Sequence, residues 1–486
     1  MNPLRARLGE HALHDSVAAI AMPGREIGYP ELVHLVDACA ARLVRDGCAP
    51  GDTVGFSVPD ETGHLIVSLA LAALGLRQVI LATHAPLGMR IDLARRLAVR
   101  RVVVSDPAHA VPGIAVIVLG SAESSDSPSV RPAVPLDGGQ DGPRFLFTSS
   151  GTTGRAKIYD LDLAAVDWRA TTVHRSERGN ARQRLYVSHA IEHRAGHVRR
   201  LYAAWLGVTS ILQAPRTRMS TGALCRAMNP THLELTVLEA MGLVQDDAIP
   251  LPSGTIVHGS GTRIPSALRR RFRAHHGLPL HVHYGASEFG RIASTLDGPG
   301  ASPDIDDDSV GWPVPEIEVE IIGADGRPVA SEEAGEIRVR GATMGGGFLD
   351  DPEATARHFR GGWYHPGDLG RLDRDGRLWL AGRIDEMMSL SGINIHPAEI
   401  EVVLETHPAV RAALAYAQPS GAFGDIPVAD VELLRRGGAT EAELLAMVRD
   451  ALGARAPRRI RIVDALPRSA AGKVLRTRPG NRARGR

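Results

Sequence analysis

Lysine is almost absent from this sequence. Its 486 residues include 56 lysines and arginines together, yet only Lys157 and Lys473 are lysines. Arginine therefore supplies positive charge wherever charge alone is wanted. A lysine that remains is expected where a compact ammonium on a slim stem is needed and a planar guanidinium does not fit. Both lysines end segments rich in glycine and other small residues, which predicts that both are functional.

Other scarcities exclude whole classes of protein. The three cysteines, Cys39, Cys48 and Cys225, have neither the spacing of a metal site nor that of a disulfide framework. Aromatic residues make up 4% of the chain and are not interleaved with a basic cluster, so nothing indicates a nucleic-acid partner. The longest apolar run, 64–76, is too short to span a bilayer, and no signal peptide is recognisable. We expect a cytoplasmic protein without a membrane partner, and its oligomeric state stays open.

Alternating strands and helices dominate the first three hundred residues. Residues 29–47 have the apolar periodicity of an amphipathic helix, and 53–58 and 79–82 have the pattern of strands on either side of an apolar helix at 65–76. The alternation continues to a strand at 280–283. This pattern is typical of a parallel sheet with helices on its faces.

The composition changes after residue 297. Residues 316–322 and 336–339 alternate as antiparallel strands and predict a β subdomain, and the last hundred residues predict a small α+β unit. A chain of this length exceeds one compact domain. The sequence therefore predicts the α/β class, with a large N-terminal domain at 1–384 that includes the β subdomain and a small α+β C-terminal domain at 385–486.

One segment has the composition of a phosphate-binding loop. A short buried strand at 144–148 leads into small and hydroxyl residues and then Lys157; the small residues are Thr148, Ser149, Ser150, Gly151, Thr152, Thr153 and Gly154. Such residues let backbone N–H groups converge on a triphosphate, and hydroxyls add further donors. A polar turn after a strand is the plain alternative.

Five separated motifs, taken together, resemble those of the AMP-forming adenylating enzymes. They are FTSSGTTGRAK at 147–157, YGASE at 284–288, WYHPGDLG at 363–370, GRIDEMMSLSGINIHPAEIE at 382–401 and PRSAAGKVLR at 467–476. The family includes acyl-CoA synthetases, adenylation domains of nonribosomal peptide synthetases and beetle luciferase. The resemblance covers nearly the whole chain. It implies that a carboxylate attacks the α-phosphate of ATP, releasing pyrophosphate, and that a thiol then takes the acyl group.

The resemblance also implies roles for individual residues. Residues 148–154 and Lys157 would bind the β- and γ-phosphates, Glu288 would hold Mg²⁺, and Lys473 would bridge the carboxylate and the α-phosphate. Asp368 and Arg383 would bind the ribose. The remaining nucleotide and acyl contacts would come from Gly259, Ser260, Gly261, Tyr284, Gly285, Ala286 and Ser287. Tyr284 would flank the adenine.

The resemblance further implies that the C-terminal domain is mobile. Asp385 would be the hinge about which this domain rotates between the two half-reactions. Lys473 would then leave, and the loop at Ser391 and Gly392 would enter, where a glycine leaves room for a pantetheine arm. Ser389 and Asn394 stand where the family often has lysine and arginine. Less positive charge is therefore expected along the path of the thiol donor than is usual for binding CoA.

The substrates are less specified. The thiol that accepts the acyl group is either CoA or the phosphopantetheine of a carrier protein. The sequence favours CoA, because HAIEHRAG at 189–196 is similar to a segment of the acyl-CoA synthetase branch. His193 is either structural or a substrate contact. The arginines and histidines of 189–200 favour a small or polar acid over a long-chain one.

The sequence gives less support to two other functions. A P-loop NTPase would have glycine where Ala156 stands and serine or threonine where Ile158 stands. A non-catalytic nucleotide-binding relative would have no need to keep Lys473, Glu288 and Asp368 together.

Overall fold

A computed structural model describes residues 2–13, 17–119, 142–149, 156–214, 218–245, 250–261, 263–299, 307–342, 344–390, 393–420, 424–468 and 474–476. In these ranges, twelve α-helices are found: α1 (Pro3–Ala12), α2 (Tyr29–Arg45), α3 (Glu61–Ala73), α4 (Leu87–Arg96), α5 (Leu163–Ser176), α6 (Arg194–Leu206), α7 (Thr221–Met228), α8 (Val237–Gln245), α9 (Ser266–His276), α10 (Pro352–His358), α11 (Pro397–Glu405) and α12 (Glu441–Leu452).

The strands of the described residues are β1 (Ala18–Met22), β2 (Arg25–Gly28), β3 (Thr53–Ser57), β4 (Arg77–Ile80), β5 (Arg101–Val104), β6 (Ala115–Val118), β7 (Arg144–Ser149), β8 (Lys157–Leu161), β9 (Arg184–Val187), β10 (Thr209–Ile211), β11 (His232–Thr236), β12 (Ile256–Ser260), β13 (Leu280–Ala286), β14 (Gly290–Ser294), β15 (Trp312–Pro313), β16 (Ile317–Ile322), β17 (Gly335–Gly341), β18 (Phe359–Arg360), β19 (Trp363–Tyr364), β20 (Asp368–Leu372), β21 (Leu378–Arg383), β22 (Met388–Leu390), β23 (Ile393–Ile395), β24 (Val410–Ser420), β25 (Gly424–Leu433) and β26 (Arg459–Val463).

Two mostly parallel sheets form the first part of the chain. The larger has the order β15-β14-β13-β12-β11-β9-β10-β1-β2, in which the six strands from β13 to β1 run parallel and the edge strands are antiparallel. The second has the order β6-β5-β3-β4-β7-β8, with only β8 antiparallel. The predicted α/β class is confirmed.

The main hydrophobic core lies where helices join these two sheets. Leu32, Val36 and Leu43 lie on one face of α2 and are fully buried, because they recur at helical spacing. Pro30 lies in the first turn of this helix, and Gly47, with φ of +91°, follows its end. Helix α3 starts four residues earlier than predicted, since Asp60 caps it by accepting a 2.6 Å hydrogen bond from the Gly63 amide.

The larger sheet has two chemically different faces. In β11 and β12, Leu233, Leu235 and Val257 point towards the apolar core under α7, α8 and α9. The alternate positions are polar, and Glu234 and His258 lie in register on neighbouring strands. A parallel sheet covered on both faces is usually apolar throughout, so the polar face marks a special surface.

Two further sheets complete the described structure. Strands β16 to β21 form an antiparallel sheet, as predicted for the β subdomain. Strands β22 to β26 form a sheet packed against α11 and α12, with β25 and β26 parallel. No helix in the described ranges is long and apolar enough to cross a membrane.

Candidate active site

A cavity of about 780 Å³ opens where the larger sheet, the β subdomain and the last hundred residues meet. Its wall includes these predicted site residues: Thr148, Ser149, His193, Ser260, Gly261, Tyr284, Gly285, Ala286, Ser287, Asp368 and Arg383. These positions are far apart in sequence, and the fold brings them to the carboxyl ends of the parallel strands, where α/β sheets bind ligands. The predicted residues Ser150, Gly151, Thr152, Thr153, Gly154, Ser391, Gly392 and Lys473 lie outside the described residues.

Asp368 is held at the cavity wall by two other predicted residues. The Tyr284 hydroxyl donates a 2.5 Å hydrogen bond to Oδ2, and Arg383 Nη1 donates one of 3.1 Å to Oδ1. Burial and the Asp368 charge raise the pKa of Tyr284 well above its ordinary value, so its hydroxyl stays a donor. Burial alone would lower the pKa of Arg383, but its hydrogen bond to Asp385 and the charge of Asp368 raise it. Both oxygens of the Asp368 carboxylate are therefore held in a fixed orientation at the cavity wall.

Lys157 lies at the start of β8, beside the end of β7. Its Nζ is 2.8 Å from His358 Nε2 and 5.1 Å from the centre of the Phe348 ring. His358 Nδ1 is 2.7 Å from the His365 carbonyl oxygen, so Nδ1 carries the proton and Nε2 accepts from the ammonium. Burial lowers the pKa of Lys157, and the Glu288 charge opposes that change. Lys157 is a positioned cation near Glu288.

Glu288 lies in the turn between β13 and β14. Its Oε2 accepts a 3.1 Å hydrogen bond from the Tyr364 hydroxyl. Two arginines hold the turn. The buried Arg169 donates to the Ser287 and Glu288 carbonyls at 3.2 and 2.6 Å, and the half-buried Arg194 donates to the Ser287 carbonyl at 2.8 Å. Hydrogen bonds from these guanidinium groups fix the backbone of the turn and so orient the Glu288 carboxylate.

The motif YGASE belongs to a β-hairpin, where the sequence predicted a turn after a strand ending at residue 283. Strand β13 continues to Ala286 and returns antiparallel as β14. Gly285 allows this pairing, because a Cβ there would come within 2.4 Å of the Gly290 carbonyl oxygen. The predicted strand end was therefore wrong by three residues, because pairing with the neighbouring strand β14 extends β13 through the glycine-containing motif.

Three other predicted residues, Gly259, Gly261 and His193, lie at or beside the ends of strands and helices near the cavity. Gly261 has φ of +92°, which favours glycine, and follows the end of β12. Gly259 is in β12, where a Cβ would come 2.9 Å from the Ile264 side chain. His193 precedes α6 without capping it, and its ring lies 4.6 Å from that of His84. Burial and the neighbouring His84 lower the pKa of His193.

Two protein-family models match this sequence. A family model described as AMP-binding enzyme matches residues 8–349, and a model of the AMP-binding enzyme C-terminal domain matches residues 399–473. The chain belongs to the AMP-binding enzyme family. The resemblance inferred from the five motifs is confirmed.

Individual relatives of this AMP-binding enzyme differ in how much they share with it. Feruloyl-CoA synthase of an Amycolatopsis species is 28% identical over 97% of this chain and 96% of that protein. The 2-succinylbenzoate–CoA ligase of Geobacillus kaustophilus is 39% identical over 201 residues, which are 41% of this chain and 40% of that protein. The ATP-bound structure of MatB from Rhodopseudomonas palustris has a TM-score of 0.86 at 24% identity, covering 98% of this chain and 97% of that one. The predicted arrangement of a large N-terminal and a small C-terminal domain agrees with this fold.

In this AMP-binding enzyme, the last hundred residues close one side of the cavity. Arg263, which follows the GSG turn, lies 3.3 Å from Asp308 and forms an ion pair with Glu405 at the end of α11. Arg476 donates hydrogen bonds of 2.8 and 2.9 Å to Glu401 and lies 3.0 Å from Glu386. The pair of Arg263 with Glu405 therefore joins α11 to the core, and the contacts of Arg476 hold α11 within the last hundred residues.

Sequence reasoning missed several residues that shape the site. His358 and Tyr364 flank Lys157 and Glu288, and Arg169 and Arg194 support the 286–290 turn. Tyr364 lies inside the WYHPGDLG motif, so the motif was the available signal. Arg169 had none, because in an arginine-rich chain only the tertiary contact distinguishes it from a surface arginine.

Proposed function

We propose that this AMP-binding enzyme is an AMP-forming acid–CoA ligase. A carboxylate oxygen of the acid attacks the α-phosphorus of ATP and expels pyrophosphate, giving an acyl-adenylate. The CoA thiol then attacks the acyl carbon and releases AMP. The observation that carries this proposal is the Asp368 carboxylate, held by Tyr284 and Arg383 on the same cavity wall as Ser149 and Ser287.

The first half-reaction brings two anions together, so the proposed roles are electrostatic. Asp368 accepts the ribose hydroxyls, with Arg383 beside it, and the end of β7 with Lys157 receives the phosphates. Lys473 is proposed to reach the attacking carboxylate and the α-phosphate. Its role rests on the sequence motif, and its neighbour Val474 lines the cavity. His193 is proposed as a contact to the acid.

Mg²⁺ fits the donor set around Glu288. Mg²⁺ in phosphate sites takes one or two carboxylates and fills its other positions with phosphate oxygens and water. Glu288 supplies one fixed carboxylate, and no cluster of three or more acidic, histidine or cysteine ligands occurs among the described residues. Glu288 would therefore hold the ion together with the phosphates, and the bound ion would neutralise their charge.

For the acceptor, we favour CoA over a carrier protein. The relatives aligned above are named as a CoA synthase and a CoA ligase. Because ATP and CoA are cytoplasmic substrates, we place the enzyme in the cytoplasm. A carrier-protein acceptor remains an outcome of the test below.

For the second half-reaction, we propose the domain division at 1–384 and 385–486, with Asp385 as the hinge. Asp385 lies in the 3₁₀ turn Ile384–Glu386 between β21 and β22, where its carboxylate accepts a 2.9 Å hydrogen bond from Arg383 Nε. Rotation at this turn would bring the 391–392 segment to the cavity and form the path by which the thiol reaches the acyl-adenylate.

The test is acid-dependent exchange of labelled pyrophosphate into ATP, measured without thiol over a panel of carboxylic acids. Exchange that requires an acid supports adenylation, and consumption of the adenylate on adding CoA supports the ligase. Exchange without any response to CoA, but with transfer to a pantetheinylated carrier, would move the acceptor to the carrier. ATP binding without exchange for any acid would contradict the proposal.

A further inference from the structure

The polar face of the larger sheet forms the floor of the cavity. Glu234 of β11 and His283 of β13 line the cavity. His283 directly precedes the YGASE motif, and Glu234 lies in register with His258, which directly precedes the GSG turn. Both therefore lie before the strand ends at which the nucleotide site is proposed. Val198, Tyr202 and Val237 contribute apolar side chains to the lining of the same cavity. A bound acid with its carboxylate at the phosphates would direct its other end at this floor.

The charged side chains of the floor balance one another. Arg199 donates to both oxygens of Glu177 at 2.8 and 3.0 Å, and its Nε lies 2.5 Å from Glu234. Arg291 donates a 2.8 Å hydrogen bond to Glu177. Burial alone would raise the pKa of Glu177, but the arginines hold it well below its ordinary value. Two arginines therefore face two ionised glutamates, and no unpaired cation is left in this group for a second anion.

Two histidines of the floor have free hydrogen-bonding capacity. His189, which is 3% exposed, has no partner for either ring nitrogen, and His283 has none for Nδ1, within the part of the chain described. Burial lowers the pKa of both rings, to about 3 for His283, so both are neutral. A neutral imidazole has one donor and one acceptor nitrogen. Buried polar atoms without a partner cost free energy that a ligand group can recover.

We propose, on the basis of the function proposed above, that the acid carries a neutral hydrogen-bonding group such as a hydroxyl at the end remote from its carboxylate. His189 and His283 bind that group, with Glu234 and Ser260 behind it. Ser260 Oγ already donates a 2.8 Å hydrogen bond to Glu234. A purely apolar tail would leave the imidazole nitrogens unsatisfied. A tail with a second carboxylate would add an anion to a group whose charges are already balanced.

The test uses matched acids in pyrophosphate exchange with the wild-type enzyme. Two series serve: hexanoate, 6-hydroxyhexanoate and hexanedioate, and 3-phenylpropanoate with its 4-hydroxy derivative. We expect the hydroxylated acid to exceed its parent in kcat/KM by at least about tenfold, since one buried hydrogen bond to a neutral group contributes about that factor. Equal values, or a preference for the dicarboxylate, would overturn the inference and leave the proposed function standing. No exchange with any acid would overturn the proposed function itself.

Variants then assign the effect to the histidines. His283→Phe and His189→Phe keep a flat ring and remove the nitrogens, so each is expected to lower the ratio of hydroxylated to parent acid. His34→Phe is the matched control, because His34 is exposed on α2. It should leave the ratio unchanged. An unchanged ratio in folded His283→Phe and His189→Phe would contradict the assignment, and thermal unfolding establishes that each variant is folded. If neither folds, the wild-type acid series still decides the substrate class.

Discussion

Asp368 and Arg383 are paired across β20 and β21, and the guanidinium donates a 3.1 Å hydrogen bond to the carboxylate. Tyr284, from the hairpin of the larger sheet, occupies the other carboxylate oxygen at 2.5 Å. Residues from two sheets thus converge on one carboxylate at the cavity wall. This arrangement is what places a ribose between the β subdomain and the core in the proposed function.

Asp368→Asn is expected to lower kcat/KM for ATP by about tenfold to a hundredfold, because an amide presents one acceptor where the carboxylate presents two charged ones. Pyrophosphate exchange at varied ATP concentration measures this loss. Asp375→Asn, at an exposed turn of the same sheet, is the control and should behave as wild type. Retention of full kcat/KM by Asp368→Asn would remove the ribose role.

Lys157→Arg and Lys157→Ala are each expected to lower kcat/KM for ATP by at least about tenfold. The ammonium fits a 2.8 Å contact with His358 Nε2 beside the Phe348 ring, and a planar guanidinium is wider than this space. Arg374→Lys tests the reverse exchange at an exposed position and should change nothing. Full activity of Lys157→Arg would show that charge alone suffices.

Lys473→Ala is expected to reduce adenylate formation by about a thousandfold, because one positioned cation at the reacting oxygens is removed. Conversion of supplied acyl-adenylate and CoA to the thioester should continue. Lys473→Arg should not restore the first step. Equal loss in both half-reactions would contradict a role confined to adenylation.

The ion pair between Arg263 and Glu405 is expected to support adenylation by fixing α11 against the core. Glu405→Gln and Arg263→Met should each slow exchange about threefold to tenfold, and the double variant should be no slower than the worse single one. Glu333→Gln, at an exposed position, is the control. Losses that simply multiply in the double variant would show that the two residues act independently.

Folding stability is expected to fall as the pH drops below about 6.5. His64 and His197 share a 3.0 Å hydrogen bond in the core, and burial lowers the pKa of His64 from 6.5 to about 3 and that of His197 well below its ordinary value. The unfolded chain therefore binds more protons than the folded chain between about pH 6.5 and 3, so protonation favours unfolding there. At pH 5.5 the loss is about 1 kcal/mol or more relative to pH 7.5.

Urea denaturation at a series of pH values measures this loss. Replacing the exposed His34 with glutamine should leave the curve unchanged, whereas His197→Gln should flatten it between pH 5 and 7. A free energy of unfolding that is constant over this range in the wild type would contradict the neutral, buried state of the pair.

The sequence was sufficient for the alternation of strands and helices, for the change to a β subdomain and for the motif positions, but not for every element. Helix α2 and the antiparallel β subdomain follow from periodicity, which local residues determine. The polar face of the larger sheet was also available in principle, as alternation in HLELT at 232–236 and LHVHY at 280–284. His358 and Arg169 could not be found, because their roles depend on contacts with Lys157 and Glu288, which only the folded chain brings near them.

The most direct test of the proposed activity follows oxygen from the acid. An acid that supports exchange is labelled with ¹⁸O in its carboxylate and incubated with ATP, Mg²⁺ and CoA, and the products are analysed by mass spectrometry. If a carboxylate oxygen attacks the α-phosphorus, AMP acquires one ¹⁸O, and acyl-CoA and unlabelled pyrophosphate accumulate with it. Label in inorganic phosphate with release of ADP, or AMP without label, would contradict the account.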